Sequence, residues 1–128
     1  MDHLNKRQQG VLLHYAREVM LADGVAADEE QRYMEVLRRQ VCPDVTTEDM
    51  SMESLAKLFD RRKSRVSMFL ELTGMGYANE AFDPFQSELL QSIASALSLS
   101  NGDVMAINSW VRRQLRLVKQ AHLLMSDS

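Results

Sequence analysis

Four polar residues, Asp23, Glu30, Asn79 and Gln86, occupy matched places in this 128-residue chain. Asp23 and Glu30 bound the segment "DGVAADEE", and Asn79 and Gln86 bound "NEAFDPFQ". Within each segment the second residue follows the first by seven positions, and the two segments are 56 positions apart. Two carboxylates and two carboxamides can supply hard oxygen ligands. Completed by water, such a set would make a weak site for calcium or magnesium, which take about six to eight oxygens. The same groups can also satisfy one another. Asp23 and Asn79 would then cap helix ends, while Glu30 and Gln86 close a hydrogen-bonded network with no ion. Softer metals are not expected, because no His and Cys stand at ligand spacing. Nor is this an EF-hand, since "DGVAADEE" lacks acids at loop positions one, three and five.

These residues need helices to position them. Glu30, Met34, Leu37 and Val41 form one stripe at helical spacing, and Gln86, Leu90, Ile93 and Leu97 form its counterpart. A polar group at the head of a buried stripe needs a partner, because unpaired burial costs kilocalories. The natural partner in each half is the hinge residue seven positions earlier.

The rest of the chain also reads as helix. A first helix spans about Lys6 to Leu21 on the stripe Val11, Leu12, Tyr15 and Val19, and Asp23-Gly24 ends it. A second starts near Asp28, where three acids suit the helix dipole, carries Tyr33, Met34, Leu37 and Val41, and stops at Pro43. Thr46 or Thr47 is expected to cap a third, carrying Met50, Leu55, Leu58 and Phe59. "DRRKSR" should break the pattern before a fourth with Val66, Phe69, Leu70 and Leu72, which "TGMGYAN" ends. Asp83-Pro84 starts a fifth with Phe85, Leu89, Leu90, Ile93 and Leu97. Ser100 and Asp103 have capping-box spacing for a last helix with Val104, Ile107, Val111, Leu115 and Val118.

A shift of 56 positions aligns Leu12 with Met68, Leu13 with Phe69, Met34 with Leu90, Leu37 with Ile93 and Val41 with Leu97, without a gap through the hinge. It fails elsewhere, setting Tyr15 against Glu71 and Val36 against Ser92. A repeated helix pair cannot bury its stripe alone, but two pairs can bury each other's. The expectation is therefore one all-α domain over residues 1–128, a bundle of about six helices built on a duplicated helix-hinge-helix unit.

Composition is that of a globular protein, with 45% hydrophobic and 26% charged residues. A net charge of −3 gives no general attraction to nucleic acid. A lone cysteine, Cys42, forms no internal disulfide and fits a reducing compartment. No stretch approaches the ~18 apolar residues of a membrane span. The apolar run near the N-terminus is too short for a signal peptide. A cytoplasmic protein without membrane insertion is expected.

"LADGVAADEEQRYMEVL" resembles the hallmark of the tellurite-resistance TerB-like proteins, an Ala-Asp-Gly turn followed by a glutamate seven residues after the aspartate. The resemblance runs from about Gln9 to Leu117. It implies an all-helical, pseudo-duplicated fold and an acidic cluster that binds divalent metal, in proteins tied to tellurite and other chemical stress. The same module occurs joined to J-domains in co-chaperones. Asp23 and Glu30 match the family's acidic positions. Asn79 and Gln86 stand where many members keep acids, which halves the charge of the cluster.

Other groups carry weaker signals. Arg61 to Arg65, with Arg112, Arg113, Arg116 and Lys119, would make a basic face if they lay together, but solvated helix faces account for them without nucleic acid. His14 and His122 have no Ser or Cys in a nucleophile arrangement. Met50 and Met52, beside a polar connector, suit either core packing or a partner groove. The sequence points to a non-catalytic binding module. Its ligand is either a divalent cation at the hinges or a partner protein on a helical face.

Overall fold

The computed structural model describes residues 3–22, 24, 28–77 and 84–126. Asn5 and Gln8 start the chain's first helix as a capping box, each side chain accepting from the other's backbone N–H at 2.8 Å. This helix, α1 (Lys6–Met20), buries Val11, Leu12, Leu13, Tyr15, Ala16 and Val19. It leaves its axis through Leu21 to Gly24, whose φ of 84° lies in the left-handed region that glycine takes without strain. Next come α2 (Asp28–Gln40), a 3-10 turn (Met52–Ser54), α3 (Leu55–Leu58), α4 (Arg62–Tyr77), α5 (Pro84–Ala96) and α6 (Asn101–Met125). No strand occurs among the described residues.

α1 and α4 pack on each other at the centre. α2 lies against α1 and α4, α5 lies against α4 and α1, and α6 crosses α4. One continuous apolar cluster draws on every helix, from Val11 and Leu37 through Leu55, Met68, Phe69 and Ile93 to Ile107 and Val111. α2 and α5 each have 13 residues, and both ends of one are displaced from the other by 56 positions. The starts of α1 and α4, Lys6 and Arg62, differ by the same interval.

Several sequence expectations need correction. The third helix does not begin at Thr46 or Thr47. Residues 43–51 run in irregular conformation across α1, because their polar groups bond there. Glu48 N–H donates to the Gly10 carbonyl, Lys6 and Arg7 pair with Asp44 and Glu48, and the Tyr15 hydroxyl donates to the Met50 carbonyl. The break at "DRRKSR" is short, since only residues 59–61 separate α3 from α4, which already starts at Arg62. Of "TGMGYAN", the first five residues continue the helix to its end at Tyr77, with Thr73 to Gly76 buried, and residues 78 and 79 lie outside the described residues. Phe85 is no core residue, being 63% exposed. Leu115 and Val118 are also exposed, because α6 runs on past the packed body after Val111.

The starts of α1, α2, α5 and α6 agree with the sequence, while Asp83 lies outside the described residues. Ser100 and Asp103 form the capping box of α6. α5 closes with Leu99 N–H on Ala94 O and Ser98 N–H on Ser95 O. That is the bonding of a Schellman motif, with Ser98 at φ 58° where glycine is usual. No helix among the described residues is long and apolar enough to cross a membrane.

Candidate functional site

Glu30 is the third residue of α2 and Gln86 the third of α5. Both face inward, at 2% and 3% exposure. The two side chains meet, with Gln86 Nε2 donating to Glu30 Oε2 at 2.5 Å and to the Val19 carbonyl oxygen at 3.0 Å. Val19 lies in the last turn of α1, where carbonyls have no partner further along the helix. One carboxamide therefore ties together the ends of three helices: the end of α1 and the beginnings of α2 and α5.

The chemistry of the pair is complementary. An ionised carboxylate only accepts hydrogen bonds, and a carboxamide nitrogen donates two. Val19 O and Glu30 Oε2 are both acceptors, which fixes the amide with its nitrogen toward them. Turned the other way, its oxygen would face two oxygens. As seated, Gln86 thus gives Glu30 a donor rather than a second oxygen ligand. The two described members of the predicted cation set do not by themselves form an oxygen cage.

The sequence placed each partner seven residues earlier in the same half. Asp23 and Asn79 lie outside the described residues. The described contact runs between the halves, joining the two residues that the 56-position shift aligns. Among the described residues, no group of three or more His, Cys, Asp or Glu stands close enough to hold a metal ion.

A second polar contact escaped the sequence reading. The Tyr33 hydroxyl lies 3.1 Å from Glu71 Oε2. Burial pushes the Tyr33 hydroxyl well above its ordinary value, so it stays protonated and donates. Burial also raises the Glu71 carboxyl, while the Tyr33 hydrogen bond pulls it back. Tyr33 reaches this place because Gly74 has no β-carbon, which would collide with the phenol oxygen. Gly10 has the same role toward the Thr46 carbonyl. The signal available in the sequence was glycine inside a helical pattern, which marks close approach when it is not a cap.

The basic runs do not join. Arg62 pairs bidentately with Asp103 at 2.7 and 3.3 Å. That hydrogen bonding, with the Ser100 cap, holds the Asp103 carboxyl far below the usual carboxylate range. Arg65 donates to the carbonyls of Phe59 and Ala56, closing α3. Arg112 to Lys119 begin nine residues beyond Asp103 on α6, about 14 Å along the axis. His14 is bound to the connector, with Nε2 3.1 Å from Asp49 Oδ1. Met50 and Met52 are partly buried against the core.

Past Val111 the character of α6 changes. Every residue from 112 to 126 is exposed, including Leu115, Leu117, Val118, Leu123, Leu124 and Met125. An open groove forms between this extension and the end of α4, lined by Tyr77, Leu115 and Val118 with Arg112, Arg116, Lys119 and His122.

Comparison of the chain with family models, curated proteins and solved structures returns no match.

Proposed function

We propose that this chain is a non-catalytic, cytoplasmic interaction module of TerB-like architecture that works through the C-terminal half of α6. In this reading the two helix pairs descend from one duplicated unit, and Glu30 with Gln86 is a structural clasp between them. The observation that carries the reading is the exposed apolar surface of residues 112–126. Six large apolar residues in water on one short segment are what a protein interface leaves uncovered when its partner is missing. A helix of this length is marginal in water by itself, so a covering partner would also stabilise it.

The test is a photo-crosslinking residue placed at Leu117 in cells, with Glu88 on α5, also exposed, as the control position. The reading expects protein adducts at 117 and none at 88. Equal adducts at both positions, or none at either, would remove it.

A second reading rests on the burial of Glu30, a carboxylate at the head of a helix stripe seven residues after Asp23. Here Asp23, Glu30, Asn79 and Gln86 hold calcium or magnesium, with Gln86 turned to present oxygen. Such an ion would raise the unfolding midpoint of chelator-treated protein as its concentration passed the dissociation constant, and Glu30→Ala would abolish the rise. No rise at millimolar ion would leave the clasp purely structural.

A further inference from the structure

The extension of α6 has an uneven charge pattern. Between residues 104 and 126 the chain has Arg112, Arg113, Arg116 and Lys119 and no aspartate or glutamate, although its net charge is −3. No ion pair engages Arg112, Arg113 or Arg116 among the described residues.

The apolar residues are ordered around the axis. Trp110, Leu117 and Leu124 repeat every seven residues along one stripe. Val111, Val118 and Met125 repeat along a second, joined by Leu115. At 3.6 residues per turn the two stripes together cover about half the circumference. The cations occupy the other half, with Leu123 among them.

Three occupants could cover such a face. A second copy of the chain, paired helix to helix, would set Arg112, Arg113 and Arg116 against their own copies with no aspartate or glutamate between residues 104 and 126 to offset them, and like charges repel at that range. A lipid bilayer is flat and would reach the outer stripe around Trp110, but not the concave floor formed by Leu115 and Val118 against Tyr77. An amphipathic helix rich in acids fits both features. Its apolar stripe would lie on Tyr77, Leu115 and Val118, and its carboxylates would meet Arg112 and Arg116 at the rim. We propose that the groove between the α6 extension and Tyr77 docks an acidic amphipathic helix of a partner protein. This inference rests on the interaction reading above and adds the chemistry of the partner.

Trp110 is the chain's only tryptophan and stands where α6 leaves the body, so its emission reports on cover of the extension. The probes are two helical peptides of about three heptads, one with a leucine seam and glutamate elsewhere, the other with lysine in place of glutamate. Binding is read by anisotropy of the labelled peptide and by Trp110 emission.

The Leu/Glu peptide is expected to bind the full chain with a Kd on the order of 10–100 µM at low salt, and to weaken as salt rises. The Leu/Lys peptide should not bind. The doubly reversed variant R112E/R116E, altered only at exposed positions, should lose at least about tenfold in affinity for Leu/Glu, which is about 1.4 kcal/mol. Equal binding of both peptides, or binding of neither, overturns the proposal. Binding to phosphatidylglycerol vesicles, or self-association in sedimentation, without Leu/Glu binding also overturns it. If Leu117→Glu or Val118→Glu abolished either of these, the α6 surface would still be the working one. If those variants changed nothing in any assay and no adduct formed at 117, the interaction reading would fall as well.

Discussion

The two helix pairs, α1 with α2 and α4 with α5, match in the register of their buried stripes and differ where a helix must admit a foreign group. Along the seam the register is shared. α2 and α5 have equal lengths, their buried stripes carry Met34, Leu37 and Val41 at the places of Leu90, Ile93 and Leu97, and the polar residues at their heads bond to each other. At the closest approaches to α1 and α4 the correspondence ends. Gly10 of α1 admits a connector carbonyl, while its counterpart in α4 is Val66. Gly74 of α4 admits the Tyr33 ring, while its counterpart in α1 is Glu18. Two similar units that pack face to face share one burial problem and can share its solution. The groups that approach α1 and α4 differ, a connector carbonyl at Gly10 and the Tyr33 ring at Gly74, and each needs its own accommodation. The seam also shows why an acid in one half and an amide in the other is a good combination: one accepts, the other donates, and neither pairs as well with its own kind.

The largest expected effect comes from making the halves alike at this point. Gln86→Glu sets two buried carboxylates against each other and removes the donor to Val19 O. Both cannot ionise at that distance. A loss of about 3 kcal/mol or more in urea unfolding is expected near neutral pH, the range seen when a buried charge loses its partner. On acidification the pair can share a proton, and part of the loss should return. Calcium or magnesium would also restore stability if the hinges hold a cation. A Gln86→Glu protein as stable as the parent near neutral pH would show that the clasp does not join the halves.

Next in size is Gly10→Ala. Alanine is the better helix former by about 1 kcal/mol, so propensity alone predicts stabilisation. The β-carbon would instead meet the Thr46 carbonyl, a backbone obstacle that moves only with the connector. A net loss of about 1–3 kcal/mol is expected, together with faster hydrogen exchange across residues 43–51. Gly74→Ala should cost less, because its obstacle is the end of a side chain that can swing away. Equal effects at the two glycines would mean that the connector is as yielding as the Tyr33 ring.

This contrast also explains how much could be read from the sequence. The helical class, the stripe of α2 and the two starts at Pro84 and Ser100 follow from local rules, periodicity and capping, which act within a few residues. The meeting of Glu30 with Gln86 is accessible only through the 56-position shift. Periodicity places both on core faces, but a pairing sought seven residues back within each half does not reach the contact between the halves. The glycines were misjudged because one residue type serves both to stop a helix and to let another segment approach. Gly24, with its positive φ, does the first, whereas Gly74 does the second. Only the position of Tyr33 tells them apart. The third helix was overextended for a similar reason. Thr46 and Thr47 have the chemistry of caps, but the backbone around them is bonded to α1, a contact that no local pattern encodes. The exposed half of α6 has a core-like stripe through Leu115, Val118 and Met125. Periodicity records that a face is apolar, not which molecule covers it.

The smallest effect distinguishes the α2–α4 contact from its counterpart, since Tyr33 corresponds to Leu89, which has no hydroxyl. Tyr33→Phe removes the donor to Glu71 and should cost about 1 kcal/mol near pH 7, the net worth of one such bond. The sign of its pH dependence follows from burial. The Glu71 carboxyl is raised in the folded state, so it destabilises the fold when ionised. Its contribution is best below the ordinary glutamate range and worsens as pH rises through the folded value. Asp103, held low by Arg62, runs the other way, and its contribution is lost on acidification below the ordinary aspartate range. Without the Tyr33 hydroxyl the Glu71 carboxyl rises further. The difference between Tyr33→Phe and the parent should therefore shrink between about pH 7 and pH 4, as Glu71 becomes protonated in both proteins. Urea unfolding of both proteins across that range checks it. A cost that stays constant with pH would mean that the hydroxyl serves the Glu71 carbonyl, 3.3 Å away, rather than the carboxylate.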